Sequence, residues 1–199
     1  MKSIDAITSI VFSLVLFFSV GQQTSGSITY KIVIEGETED AMRMKESMAG
    51  SEVNVLFSPK GIRVQTTMGA DSKNTSIIEK ETSNVLVLVD KKKMKAAYHS
   101  NLSEMSGLTL ETYDIKFTTE SKKILGFTCK KVTAMDVYGN SIYYWYTEEI
   151  DFGIKTLQVP TEIPGVCLEY SLYAGATKIV YITTDISKVK PEDNLFKLN

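Results

Sequence analysis

Short runs of β-branched and aromatic residues dominate the chain, and turn-forming residues separate them. Residues 27–35 alternate between apolar and polar side chains, which is typical of a strand with one buried face. The residues alone therefore predict a sandwich or barrel of strands. The predicted strands are residues 27–35, 53–57, 62–67, 85–89, 94–98, 113–119, 127–138, 141–148, 166–173 and 178–185.

One segment has the pattern of a helix. Glu39 and Asp40 precede residues 41–49 and place negative charge at the start of this segment, where a helix dipole favours it. Met44 and Met48 fall on one face of the predicted helix. That face either fills the core or forms a lid over an apolar cavity, since unbranched thioether side chains adapt to varied neighbours.

Four consecutive aromatic residues, 143–146, follow a glycine-asparagine turn. Residues 138–141 fit a two-residue hairpin loop, because Gly and Asn tolerate positive φ. That loop sets Met135 opposite Tyr144. Since successive strand residues point to opposite faces, Met135, Tyr144 and Tyr146 then share one face, and the other two aromatic residues lie on the opposite face.

The same register predicts two ion pairs farther along the hairpin. Lys131 falls opposite Glu148, and Lys130 falls opposite Glu149. Opposite charges across a strand pair stabilise it by about 0.2–1 kcal/mol each. Pairing with lysines also leaves these glutamates unavailable as calcium ligands.

The N-terminus has the features of a secretory signal. Lys2 precedes an apolar run, residues 10–20, and small residues at 19–21 suit a signal peptidase. The run is shorter than the roughly 20 apolar residues that span a bilayer. We therefore expect residues 1–21 to be a signal peptide and residues 22–199 to form a single exported domain with no membrane span, in the periplasm or outside the cell.

Composition excludes several functional classes. The net charge is −2 with both signs scattered, so no basic face for nucleic acid is expected. His99 is the single histidine, and no G-x-S-x-G elbow is present, so no catalytic residue, metal site or cofactor is predicted and the protein is expected not to be an enzyme. Cys129 and Cys167 either pair in the oxidising exterior or are buried thiols, which we favour.

Three short motifs resemble a known family. They are GFTCKK at residues 126–131, WYT followed by EI within residues 145–150, and IPGV at residues 163–166. They resemble landmarks of the GLPGLI family and the related domain-of-unknown-function family 4412, which are exported proteins of Bacteroidota. These families are similar in architecture to outer-membrane lipoprotein carriers.

The resemblance implies a mainly β (α+β), strongly curved antiparallel half-barrel of about ten strands with one or two short helices on its concave face. It further implies a cavity lined by one face of each strand and closed by the helix at residues 41–49. The expected function is non-enzymatic binding of a lipid or a lipoprotein acyl chain. The predicted ligand-binding residues are Met44, Met48, Met135, Tyr144 and Tyr146.

An alternative is left open. The chain is then a structural or protein-interaction module of the cell envelope, whose concave face is filled by its own side chains and which binds another envelope protein. An open apolar cavity favours the first interpretation, and a packed interior favours the second. The oligomeric state does not follow from the residues.

Overall fold

The computed structural model describes residues 22–69, 72–92, 94–105, 112–154 and 159–198, so the predicted signal peptide lies outside the described residues. In this part of the chain, antiparallel strands form one open, curved sheet. The strands are β1 (Gly26–Glu35), β2 (Glu52–Phe57), β3 (Gly61–Met68), β4 (Ser72–Glu79), β5 (Asn84–Lys91), β6 (Met94–Asn101), β7 (Thr112–Ile124), β8 (Phe127–Asp136), β9 (Ser141–Thr147), β10 (Val166–Ala174) and β11 (Thr177–Ser187). The helices are α1 (Glu39–Ser47), α2 (Leu102–Met105) and a 3₁₀ helix (Asp193–Phe196).

The strand order explains the curvature of the sheet. The order is β6-β5-β4-β3-β2-β1-β11-β10-β9-β8-β7, so β6 and β7 lie at opposite edges although they are consecutive in the chain. A flat sheet of this width would separate its edges by about 48 Å. The chain from Asn101 to Thr112 spans at most about 38 Å when fully extended. The sheet must therefore curve to bring its two edges within reach.

The predicted fold class is confirmed: the protein is mainly β, with one open, curved antiparallel sheet. Each of the ten predicted strands is present, with ends shifted by a few residues. Strand β4, which pairs with β3 on one side and β5 on the other, was not predicted. Its sequence, SKNTSIIE, is mostly polar and lacks the alternation that predicts a strand.

Helix α1 begins two residues before the predicted segment. Thr38 is its N-cap, and the Thr38 side chain accepts a hydrogen bond of 3.2 Å from the Ala41 backbone N–H. Ala41 is buried, and α1 contacts β1. None of the described helices is long and apolar enough to cross a membrane.

The hairpin of β8 and β9 differs from its predicted register. Thr133 pairs with Tyr143, and Met135 pairs with Ser141, a shift of three residues. The turn is longer than predicted because Asp136 organises it: the Asp136 carboxylate accepts hydrogen bonds from the backbone N–H groups of Tyr138 (2.9 Å) and Asn140 (2.8 Å). Burial alone would raise the pKa of Asp136, but these hydrogen bonds outweigh it and the pKa is lowered.

The shift of register changes which residues share a face. Tyr144 and Tyr146 share one face, as predicted, and this is the concave, inner face of the sheet. Met135 lies on the opposite, outer face with Trp145 and is 39% exposed. An odd shift moves a partner strand's side chains to the other face. On that outer face the Lys122 ammonium lies 4.4 Å from the centre of the Trp145 ring.

The two predicted ion pairs are also wrong for the same reason. Lys130 pairs with Glu148 at 2.9 Å, and Lys131 pairs with Glu120 of β7 at 2.9 Å. Glu149 instead accepts a hydrogen bond from the Thr128 backbone N–H at 2.8 Å. These side chains still have polar partners, but each partner lies one residue away from the predicted one or on a neighbouring strand.

Both cysteines are buried, and neither is part of a disulfide. Cys129 on β8 is fully buried, and Cys167 on β10 is 4% exposed. Burial raises the pKa of the Cys129 thiol to about 11, so this thiol stays protonated at neutral pH.

Candidate functional site

The inner face of the sheet encloses a cavity of about 680 Å³. Its wall includes Val85 of β5 and Tyr170 of β10, which are six strands apart in the sheet. In a flat sheet these strands would lie about 29 Å from each other, so they share one cavity only on the concave side. The described lining residues are Tyr30, Val53, Val55, Val64, Thr66, Met68, Asn74, Ser76, Ile78, Val85, Asp151, Phe152, Gly153, Ile154, Val159, Gly165, Val166, Cys167, Tyr170 and Tyr181.

Stacked tyrosines form one wall of the cavity. Tyr170 and Tyr181 are cross-strand partners whose rings lie 4.6 Å apart and nearly parallel, and Tyr144 stacks on Tyr170 at 6.3 Å. The Tyr30 hydroxyl donates a 2.9 Å hydrogen bond to the Cys167 carbonyl oxygen, which fixes β1 against β10. Burial raises the pKa of Tyr170 and Tyr181 above the usual value, so these phenols are neutral.

The described residues of the connection between β9 and β10, 148–154 and 159–165, form a cover that lines part of the cavity. Phe152 packs on Phe57 with ring centres 4.9 Å apart, and Ile163 is fully buried. Gly165 has φ +94°, and a Cβ at this position would lie 2.1 Å from the Thr147 carbonyl oxygen. Only glycine fits there, so the IPGV motif serves to bring the connection back against β9.

The first described residues hold this connection in place. The Gln23 backbone N–H donates to the Glu149 carbonyl at 2.8 Å, and the Asp151 N–H donates to the Gln23 carbonyl at 3.0 Å. On the other side, the Lys80 ammonium donates to the Ser58 carbonyl at 2.6 Å. Burial lowers the pKa of Lys80, and the nearby Asp151 carboxylate opposes this change. The cover is therefore hydrogen-bonded to the segment that precedes β1, and its Asp151 carboxylate interacts electrostatically with Lys80 of the β4–β5 turn.

None of the five predicted ligand-binding residues is among the described lining residues. Met44 and Met48 are half-buried at α1, and no residue of α1 lines the cavity, so the expectation that this helix closes the cavity is wrong. Tyr144 and Tyr146 lie on the cavity's face of the sheet but are packed in the core, and Met135 lies on the other face. Their role in ligand binding stays a prediction.

The residues that do line the cavity were not predicted from the sequence. Tyr170 and Tyr181 lie in two of the predicted strands. Because side chains alternate between the faces of a strand, the sequence did carry a signal for the face to which these tyrosines point. Phe152 lies outside any predicted element, and Asn74 lies in the missed strand β4. For these two residues the sequence carried no signal that would place them at a cavity.

A second, polar cavity lies at the β5–β6 edge of the sheet, near the 3₁₀ helix. It has a volume of about 520 Å³, and its described lining residues are Glu79, Asn84, His99, Ser100, Lys197 and Leu198. His99 and Glu79 are groups that transfer protons in many enzymes. In the described part of the chain, no three His, Cys, Asp or Glu side chains lie close enough to hold a metal ion.

Comparisons with known proteins give a family. The sequence matches the family described as "N-glycanase peptide, N-terminal domain", the PNGase F-II N-terminal domain, over residues 28–195. No curated protein matches the chain. The resemblance to the GLPGLI family is neither confirmed nor contradicted, and it stays a prediction.

Solved structures agree with the fold. Two crystal structures of PNGF-II align with 19% identity and TM-scores of 0.51 and 0.52; they cover 86% and 88% of this chain, and the chain spans 29% and 30% of theirs. A DUF1329 family protein from Desulfovibrio piger aligns over 89% of the chain and 91% of its own at 8% identity, but its TM-score of 0.24 is too low to indicate a shared fold.

These matches correct the prediction that the protein is not an enzyme. That prediction relied on the absence of familiar catalytic motifs, whereas the family that matches is named for an N-glycanase, which is an enzyme. The match covers most of the residues from β1 to the 3₁₀ helix. The chain therefore belongs to the PNGase F-II N-terminal domain family, described as the N-terminal domain of N-glycanase peptides.

Proposed function

We propose that the concave cavity binds an apolar ligand, such as a lipid or an acyl chain, in an exported protein. The observation that carries this proposal is a cavity of about 680 Å³ with valine, isoleucine and tyrosine side chains in its wall. Ligand pockets in proteins usually have volumes of about 300–1,000 Å³ and are mostly apolar.

The hydrophobic effect supplies the binding free energy. Burial of apolar surface contributes about 25 cal/mol per Å², so a ligand that buries about 200 Å² gains about 5 kcal/mol before the cost of association. The tyrosine wall is preorganised by stacking and by the hydrogen bond from Tyr30 to Cys167. Little reorganisation is then needed when the ligand enters.

Uptake of diphenylhexatriene tests the proposal, because this hydrocarbon fluoresces when it leaves water. We expect saturable fluorescence with the full chain and a large loss with Val64→Trp, which fills the cavity. Gln65→Trp is the matched control, since Gln65 is the next residue of β3 and does not line the cavity. Absence of uptake by the unsubstituted, folded chain would contradict the proposal and favour a structural or protein-interaction module.

A second candidate function is a part in N-glycanase action, which the family match favours. The chain spans about 30% of the PNGF-II chain, so this activity is a proposal for the present chain. The polar cavity supports it, because Glu79 and His99 line the same space. A carboxylate and an imidazole in one cavity offer an acid and a base.

A glycopeptide assay tests the second candidate. The full chain is incubated with an N-glycosylated peptide, and released glycan is measured by mass spectrometry. We expect release above the blank and a loss of release with Glu79→Gln and with His99→Gln. An intact glycopeptide after long incubation with folded protein would contradict this candidate without affecting the apolar-ligand proposal.

A further inference from the structure

Three uncharged polar side chains of the adjacent strands β3 and β4 interrupt the apolar wall of the concave cavity. Thr66 of β3 pairs directly with Asn74 of β4, and Ser76 follows two residues after Asn74 on the same face. The stacked tyrosines Tyr170 and Tyr181 belong to β10 and β11, farther along the sheet. The cavity therefore has a polar patch on one part of its wall and an aromatic surface on another.

The side-chain oxygen of Asn74 accepts no hydrogen bond from the described residues. This Oδ1 atom is buried. Buried polar atoms in native proteins nearly always have a partner, and an unpaired one costs about 1–3 kcal/mol. The amide carries both a donor and an acceptor and rotates readily about χ2. A hydroxyl or amide group of a ligand would supply the missing partner.

Charge limits the ligand further. Among the described lining residues, Asp151 is the single charged side chain, and no lysine or arginine lines the cavity. Lys80 lies near Asp151, and the two interact electrostatically. A carboxylate would therefore meet no cation among the described lining residues, and an ammonium group would have to share Asp151 with Lys80. An unpaired charge is costly to remove from water.

We propose, on the basis of the apolar-ligand function above, that the cavity selects an uncharged amphipathic molecule. A hydroxyl or amide group of this ligand hydrogen-bonds to Asn74, with Thr66 and Ser76 beside it, and the apolar body lies against the tyrosine wall. Asn74 is then the residue that determines specificity. A free fatty acid is not the preferred ligand.

Displacement of diphenylhexatriene by ligands of one chain length tests this inference. The competitors are dodecanol, dodecanamide, dodecanoate and dodecylammonium at pH 7. We expect the alcohol and the amide to displace the fluorophore at a concentration about 10-fold lower than either charged competitor. Equal or stronger displacement by dodecanoate would overturn the inference while leaving the apolar-ligand function intact. No diphenylhexatriene uptake at all would instead be a failure of that function.

Substitutions at Asn74 give an independent test. Asn74→Leu keeps the approximate size and should weaken dodecanol binding about 5- to 10-fold more than diphenylhexatriene binding, because the hydrocarbon makes no hydrogen bond. Gln65→Leu, an amide on the same sheet that does not line the cavity, should change neither affinity. If Asn74→Leu does not fold, Asn74→Asp provides the test, and it should shift the preference to dodecylammonium. Unchanged competitor order in a folded Asn74 variant would overturn the assignment.

Discussion

Two buried tyrosines show how a hydroxyl group determines whether a buried side chain stabilises or destabilises the fold. Tyr30 and Tyr144 are both buried on the inner face of the sheet. The Tyr30 hydroxyl donates to the Cys167 carbonyl at 2.9 Å, whereas the Tyr144 hydroxyl has no hydrogen-bond partner among the described residues. A satisfied buried hydroxyl stabilises a fold, and an unsatisfied one destabilises it.

Matched substitutions by phenylalanine should therefore have opposite effects. Tyr144→Phe removes the unpaired hydroxyl and should raise the free energy of unfolding by about 1 kcal/mol, whereas Tyr30→Phe should lower it by about 1 kcal/mol. Urea denaturation of both variants measures the difference. A loss of stability in Tyr144→Phe equal to that in Tyr30→Phe would show that the Tyr144 hydroxyl has a partner after all.

The buried thiols allow a chemical test at the same scale. Because burial raises the pKa of Cys129 to about 11, about one thiol in a thousand is ionised at pH 8. The native protein should react slowly with a disulfide reagent, and both cysteines should react at once in guanidinium without reductant. Rapid labelling of the native chain, or no free thiol in the unfolded chain, would contradict the buried-thiol assignment.

At the scale of elements, the β9–β10 connection depends on a glycine that no other residue replaces. Gly165 and Gly126 have nearly the same positive φ, +94° and +92°, but they differ in their surroundings. A Cβ at Gly165 would lie 2.1 Å from a backbone oxygen, and a Cβ at Gly126 would meet no atom within 4 Å. A comparison of substitutions at the two glycines therefore separates the cost of backbone strain from the cost of steric overlap.

Alanine at each glycine should have unequal costs. Gly126→Ala should lower the free energy of unfolding by about 1 kcal/mol through backbone strain alone. Gly165→Ala should cost distinctly more and should displace the cover of the cavity, which thermal denaturation and diphenylhexatriene uptake would detect together. Equal melting temperatures for the two variants would mean that the connection adjusts without strain.

Elements with a clear pattern were predictable, and those governed by distant contacts were not. Strands with alternating or apolar sequences were found, because one or both of their faces are buried. Strand β4 was missed because its inner face, with Asn74 and Ser76, lines an open cavity and does not need to be apolar. The β8–β9 register was wrong because the Asp136 carboxylate organises a longer turn than the Gly-Asn pair implied.

At the scale of the whole molecule, curvature creates the candidate site. The cavity joins residues from β1 to β5, from β10 and β11, and from the β9–β10 connection. These lining residues are far apart in the sequence and come together only because the sheet curves. No local sequence pattern therefore predicts which residues line the cavity. The predicted lid from α1 was wrong for this reason, since described residues of the β9–β10 connection line the cavity and no residue of α1 does.

Native mass spectrometry of the full chain, purified without detergent and incubated with dodecanol, tests the central claim most directly. The account predicts a one-to-one adduct that organic extraction removes, and a loss of this adduct when Val64→Trp fills the cavity. A spectrum that contains only the bare protein mass, from a chain that circular dichroism shows to be folded, would contradict the claim that the concave cavity is a binding site.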